Sequence, residues 1–350
     1  FKKIVAITTQ PGAKGSDLTT LLGTELADTF AITDDSLYID GLEGADSVTA
    51  AGAVDEITAL MGDGGDSLIF SGDVTDSNLQ LGKGNDTASF ENFDGTLVGG
   101  TGNDAVDFNR AVEKSTIKGG TGDDRFTFDT TLDSSLVWGN SDDDTITVAG
   151  ATTGSTIYGG KQEDAITVAA ATNTKLRGDK GNDTITVGTG ALDNVVIQGN
   201  ADADVINVAA ASATNSTVFG GKGTDSITIT GAAAMLIRGD DGNDTINITA
   251  NAAYTVSGGD GDDTIDSNST TAGKYFGGKG NDTIRIDGVV GTGENYASGD
   301  VGDDSIIGGT SADSIDGGAG DDTIIGAGAD DTIYGKAGDD SINVSAAAGD

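Results

Sequence analysis

Aspartates at a fixed interval mark the C-terminal stretch. Asp304, Asp313, Asp322, Asp331 and Asp340 recur at every ninth position. Each is followed two places later by an isoleucine: Ile306, Ile315, Ile324, Ile333 and Ile342. Each is preceded by a glycine-rich turn, best formed in Gly317-Gly318-Ala319-Gly320-Asp321-Asp322. Glycine admits positive φ and lets main-chain carbonyls turn inward together. Carbonyls and a carboxylate are hard oxygen donors, the ligands Ca2+ prefers. The chemistry open to these residues is cation coordination.

Such turns need regular elements to hold them. An isoleucine two residues after an aspartate shares its strand face, while the residue between them faces the other way. Each nonapeptide thus reads as a short strand plus a turn, and two of them make one coil of a solenoid. The same register runs upstream through Asp282, Asp263, Asp244, Asp225, Asp204, Asp183, Asp164, Asp144, Asp124, Asp104, Asp86, Asp66 and Asp46. Their spacing, about 18 to 22 residues, is that of a solenoid coil. Upstream of 304 only one half of each coil keeps the aspartate.

Three apolar columns follow the same register. Two residues after the aspartate stand Val48, Leu68, Val106, Phe126 and then a run of isoleucines from Ile146 to Ile284. Four residues after it stand Phe70, Phe90, Phe108 and Phe128, giving way to Val148, Val168, Val187, Val208, Ile229 and Ile248. Seven residues before it stand Ile39, Leu79, Leu97, Ile117, Val137, Ile157, Leu176, Ile197, Val218, Ile237 and Val256, with Ala59, Tyr275 and Ala297 filling the column less typically. Like residues stacked on like in parallel strands fill a narrow core, and the change from Phe to Val and Ile implies a cross-section that varies along the axis.

The nonapeptide resembles the G-G-x-G-x-D-x-U-x repeat of the RTX (repeats-in-toxin) family, in which it binds calcium. The resemblance implies an all-β fold: a right-handed parallel β-roll or β-helix solenoid, here of about 17 coils, drawn out into a rod of about 80 Å at strand spacing. It also implies Ca2+ ions, one between the turns of successive coils, in one main column. The implied ligands are the aspartates named above, with turn carbonyls at the fourth turn position, such as Gly102, Gly122, Gly223, Gly261 and Gly280. A second file is expected only where Asp313 and Asp331 stand on the opposite edge. Gln162, Asp142, Asp202, Ser311 and Ala329 replace a turn glycine, which puts ion binding in doubt there. Asp142 and Asp202 could offer a carboxylate in place of a carbonyl, whereas nothing comparable rescues Gln162. Without metal the same turns would be plain Asx turns.

Composition narrows the rest. The 350 residues hold 57 acidic and 18 basic side chains, a net charge of −39, with 57 glycines and one proline. Such a charge opposes compaction unless cations neutralise it. Nucleic acid is not expected as a partner, since binding it needs clustered Lys and Arg. There is no cysteine and no histidine, so disulfides, thiolate metal sites and histidine-based catalysis are absent. No apolar run approaches the length of a membrane span. Carboxylates are too numerous for spacing to single out a glycosidase pair, and nothing breaks the repeat to build a catalytic cleft, so no enzyme is expected.

Three segments are expected: residues 1–22 as an N-terminal cap or the end of a preceding domain, 23–303 with one calcium turn per coil, and 304–350 as tandem nonapeptides continuing the same solenoid. The start at Phe1 and the end at Asp350 suggest a processed or excised piece, or else a full chain with a frayed end. Regular outward Thr arrays on a flat solenoid face can bind ice, but pairs such as Thr145 and Thr147 read as a solvated face, because Arg125, Ala165, Val205 and Arg285 interrupt them. A second outward column carries Trp138, Tyr158, Arg177, Gln198, Phe219, Arg238 and Phe276, either a contact stripe for a neighbouring molecule or sugar, or harmless stacking.

The functional expectation is an extracellular calcium-binding structural protein, at the cell surface, in a surface layer, adhesin stalk or filament. Export unfolded by type I secretion and folding outside by Ca2+ are what the RTX resemblance implies. Its partners would be calcium ions, further copies of itself or other cell-surface components. The alternatives are a non-catalytic RTX module of a secreted toxin or hydrolase, and a virion fibre.

Overall fold

Alternation of small or apolar with polar residues makes this chain a succession of short strands, most of them burying every second side chain. Thr116–Thr121 and Arg125–Phe128 are representative: Ile117, Phe126 and Phe128 are fully buried, while Arg125 is exposed. The computed structural model describes residues 7–11, 17–231, 234–286 and 293–344. It is all-β, a parallel β-solenoid of about 16 turns. The 17 column aspartates from Asp28 to Asp340 bound 16 intervals, which accounts for the count falling one short of the sequence reading. The chain divides into two units, Phe1–Ala169 and Ala170–Asp350.

In the first unit each strand lies parallel and in register with its counterpart one coil on. Ala105–Phe108 pairs with Arg125–Phe128, matching Val106 to Phe126 and Phe108 to Phe128. Register sets the core directly: Phe70, Phe90, Phe108 and Phe128 stack with centroids 5.5, 5.4 and 4.8 Å apart. Phe93 inserts beside them, 4.9 Å from Phe90. The unit begins differently. Ile7–Pro11 runs antiparallel to Asp17–Leu22, which in turn pairs parallel with Leu37–Asp40. A hairpin laid on the first coil covers an edge that would otherwise be open. Phe1 to Ala6, on which part of the N-terminal expectation rests, lie outside the described residues, as does Ala346 to Asp350 at the other end.

The second unit repeats the scheme with aliphatic stacks. Val205–Val208 pairs with Ser226–Ile229, and Ser226–Ile229 with Thr245–Ile248, so Ile206, Ile227 and Ile246 superpose. In the tandem region, Tyr296–Val301, Ser305–Ile307, Ser314–Ala319 and Thr323–Ile325 make two-sided coils of two nonapeptides each, as the ninefold period predicts.

Many longer coils carry a third side that the sequence pattern does not announce. Short strands Val112–Glu113 and Leu132–Asp133 pair in the first unit, and Ala191–Asp193 and Ser212–Thr214 in the second. Two extra residues per coil are enough for one more apolar contact, supplied by Val112, Leu132 or Leu192, all buried. All three expected core columns are buried as far as Ile324, including the atypical Ala59, Tyr275 and Ala297, whereas Ile342 in the last described coil is exposed.

Candidate metal centre

The column aspartates occupy inward positions at one corner of each coil, between the glycine turn and the strand that follows. From Asp46 to Asp322 they are only 1–3 % exposed. One oxygen of each has a structural task. In the first unit the main-chain N–H of Asp28, Asp46, Asp66, Asp86, Asp104, Asp124 and Asp144 each donates to Oδ1 of the aspartate one coil on, at 2.7–2.9 Å. In the second unit the same bond runs from Asp183 through Asp204, Asp225, Asp244, Asp263, Asp282, Asp304 and Asp322 to Asp340, at 2.7–3.1 Å.

The other oxygen has none. Oδ2 of Asp46, Asp66, Asp86, Asp104, Asp124, Asp144, Asp204, Asp225, Asp244, Asp263, Asp282, Asp304 and Asp322 is buried without a hydrogen-bond partner. A buried carboxylate oxygen left in this way is costly. Burial, reinforced by neighbouring carboxylates and offset in part by the donated N–H, pushes the Asp104, Asp263 and Asp282 carboxyls up to about 7. Asp144 and Asp204 rise to about 8.

These oxygens face a carbonyl. A Cβ added to Gly119 would lie 2.2 Å from Asp124 Oδ2 and 2.6 Å from the Gly139 carbonyl of the next coil. At Gly220 the corresponding distances are 2.3 Å to Asp225 Oδ2 and 2.7 Å to the Gly239 carbonyl. The same oxygen pair meets over Gly99, Gly139, Gly199, Gly239, Gly277, Gly299 and Gly317. Carboxylate and carbonyl oxygens converging on a space closed to side chains are a donor set for a hard cation such as Ca2+. Among the described residues no three acidic side chains gather at one point, so an ion here would take main-chain carbonyls as ligands.

Sequence reasoning named the carbonyl of the fourth turn glycine, and the structure adds that of the first one, which lies beside the carboxylate. The Gly102 and Gly261 carbonyls point along the axis at Gly122 and Gly280 of the following coil. A signal for the first position was present: Gly139, Gly178 and Gly199 persist where the second glycine becomes Asn140, Asp179 or Asn200. Those three substitutes adopt φ of 90°, 81° and 87°, a region Asn and Asp tolerate. The first position instead excludes any Cβ. Two coils break the rule, with Met61 and Leu81 standing five residues before Asp66 and Asp86, both fully buried.

Substituted turns bond to one another: Asp142 N–H donates to Gln162 Oε1 at 3.2 Å and Gln162 Nε2 donates to Asp142 Oδ1 at 3.1 Å. Asp142 Oδ2 also accepts the Gly122 N–H at 2.9 Å, and Asp202 Oδ2 the Gly181 N–H at 3.2 Å. These side chains clasp adjacent turns.

The opposite edge supplies an internal comparison. There a serine ladder, unnoticed in the sequence, does the same main-chain work. Ser77, Ser115, Ser135 and Ser155 accept the N–H of Ile57, Gly95, Ser115 and Ser135 at 3.0–3.1 Å. Each hydroxyl then donates to the carbonyl two residues back, as Ser135 does to Asp133 at 2.7 Å. Nothing is left over. Near the C-terminus the ladder changes to Asn295, Asp313 and Asp331. Asp313 Oδ1 accepts from Asn295 main chain and side chain, and its Oδ2 accepts from Gly309 N–H at 2.8 Å. Asp313 N–H donates to Asp331 Oδ1 at 2.9 Å. Both oxygens of Asp313 are therefore engaged, unlike those of the main column. A serine five residues from a turn looks in the sequence like any loop residue, so only its period could have betrayed it.

A parallel β-solenoid with glycine–aspartate turns aligned at one corner is the class that fold and site define. Within it, parts of the second half of the chain, and residues 168–169 just before it, match a known repeat, the RTX calcium-binding nonapeptide. A model of that repeat, in four copies, matches residues 168–191, 255–269, 289–324, 298–333 and 307–342. No curated protein matches the chain. Among solved structures it is similar to the crystal structure of a hyperactive, Ca2+-dependent, β-helical antifreeze protein from an Antarctic bacterium. That likeness has 22 % identity, a TM-score of 0.50 and coverage of 83 % of each chain, and it shows the fold alone.

Proposed function

We propose that this protein is an extracellular structural element, of a surface layer, adhesin stalk or filament, folded by Ca2+ after secretion and without catalytic activity. The observation that carries the reading is the contrast between its two ladders. Serine satisfies the coil-to-coil N–H completely, so a carboxylate that leaves its second oxygen buried has a use beyond that bond. Bound Ca2+ would supply a positive charge to those oxygens and would tie together the Asp104, Asp124, Asp144 and Asp164 coils within the first unit, and the Asp183, Asp204, Asp225, Asp244, Asp263, Asp282, Asp304, Asp322 and Asp340 coils within the second. Asp46 belongs to the same column. Asp66 and Asp86 are left out of the ion file, since Met61 and Leu81 occupy the place of the first glycine. The Asp313–Asp331 edge is a weaker site, because an ion there competes with three N–H donors. A β-solenoid of repeated coils suits a load-bearing or spacing role, and RTX repeats occur typically in secreted proteins. Among the described residues no helix is long and apolar enough to cross a membrane.

Circular dichroism with calcium titration and native mass spectrometry test this reading. Chelation should abolish the β signal, calcium should restore it, and the ion count should approach the number of first-glycine coils. A β spectrum indifferent to chelator would refute it. Electron microscopy with and without calcium distinguishes a lattice or filament from a soluble module of a larger secreted protein or a trimeric fibre.

A further inference from the structure

The outward face of the second unit has a slot one coil wide. Its walls are the strands Leu236–Asp241 and Lys274–Lys279, and its floor is the strand between them, Thr255–Asp260. Register aligns Arg238, Ser257 and Phe276, so a small side chain lies between two large ones. One step along, Asp240 aligns with Gly259 and Gly278. The floor is therefore recessed, with its walls two strand spacings apart, about 9.6 Å. The resulting groove holds about 410 Å³, within the roughly 300–1,000 Å³ of ligand sites. It meets a second groove of about 380 Å³ at Thr255, the latter bordered by Lys274, Glu294 and Tyr296.

The two walls differ in chemistry. On one side the Phe276 ring is held by Tyr296, centroids 5.5 Å apart. On the other stand Arg238 and Asp240. Asp240 keeps a left-handed φ of 76° where Gly221, Gly259 and Gly278 fill the same turn position. Asp179, Asn200 and Asp300 hold the same turn position in other coils, so the backbone tolerates Asp240, and what sets it apart is its place on the wall of this groove. Much of the charge in the slot is offset: Asp260 is bound to Lys279 at 2.8 Å, and the Arg238 charge acts on Asp240, which leaves Asp241 as the excess carboxylate. A net charge of −39 over the chain disfavours polyanions.

We propose that this slot binds a neutral hexopyranose unit within a polysaccharide chain. The apolar C–H face of such a ring packs on Phe276. Its hydroxyls donate to Asp240 and Asp241 and accept from Arg238, a combination of donor and acceptor that neither an anion nor an aliphatic ligand uses. The slot is open along the strand direction, so a polymer can pass through it, and the adjoining groove beside Tyr296 takes the next unit.

Affinity electrophoresis of the full chain in calcium-containing gels tests this, with dextran and galactomannan as neutral probes and alginate as the polyanion. Folding of every variant is checked by circular dichroism. At least one neutral polysaccharide should retard the protein more than alginate does. Phe276→Ala, and Ser257→Arg, which fills the floor with a residue the column already tolerates at Arg238, should each reduce that retardation at least fivefold. Asp240→Gly relieves the turn and should weaken retardation without loss of β signal. Absence of retardation by both neutral polymers, equal retardation by alginate, or wild-type behaviour of folded Ser257→Arg overturns the proposal.

Discussion

Replacing Asp144 by Asn separates the two duties of the column carboxylate. The amide keeps an oxygen for the Asp124 N–H, 2.9 Å from Oδ1, and removes the charge from the oxygen without a partner. Burial, then the charges of Asp124 and Asp164, raise the Asp144 carboxyl from 3.8 to about 8. An acid whose pKa is raised on folding binds its proton more tightly in the native state. Its stabilisation is complete below the unfolded value and is lost as pH climbs through the folded one. At pH 7 without calcium, folding must therefore put a proton back on Asp144, which the unfolded chain has lost, and this opposes folding by on the order of 2–4 kcal/mol, after allowing for solvent screening near the turn. The Asn variant escapes that penalty. In calcium the sign of the benefit changes, because two flanking sites lose an anionic ligand. Weakening each tenfold would remove about 2.8 kcal/mol of linkage stabilisation. The assay is a pair of pH-dependent unfolding curves by circular dichroism, one in chelator and one in millimolar calcium. In chelator the variant should retain β-structure to higher pH than the wild type. In calcium its advantage should vanish or reverse, and its calcium midpoint should rise about tenfold. A variant destabilised equally in both conditions would mean that the carboxylate only bonds the next coil, and the metal argument would fail.

Other expectations follow from the same geometry. Wild-type protein in chelator should regain β signal when acidified below about pH 5, because protons replace cations on carboxyls whose folded values lie between about 6 and 8; a chain that stays unfolded in acid would contradict this. Ser135→Ala leaves the buried Ser115 N–H without its acceptor and should cost about 1–3 kcal/mol, equally with and without calcium; urea melts in both buffers measure it. Gly119→Ala puts a methyl 2.2 Å from Asp124 Oδ2 and should remove one ion from the mass-spectrometric count while the serine edge is unaffected. Phe108→Ala empties the middle of the ring stack, 5.4 Å from Phe90 and 4.8 Å from Phe128, and should cost about 3–5 kcal/mol, read from thermal unfolding in calcium.

The sequence alone carried the period, the parallel register and the core, because in a solenoid those are one fact. A residue that recurs once per coil must stack on its own kind, so Ile146, Ile166 and the phenylalanines from Phe70 to Phe128 declared their burial by spacing. The aspartate file was legible for the same reason. Tertiary structure decided what spacing cannot express, namely how each side chain divides its atoms among neighbours. It separated Oδ1, committed to an N–H one coil away, from Oδ2, which turns toward the carbonyl of a first-position glycine. It revealed that Ser77 to Ser155 do the same main-chain work with one oxygen, that Gln162 and Asp142 clasp each other, and that two extra residues per coil make a third side at Val112 and Leu132. These outcomes depend on contacts 18 to 22 residues apart and on backbone direction at single atoms, which a linear pattern of residue types does not encode.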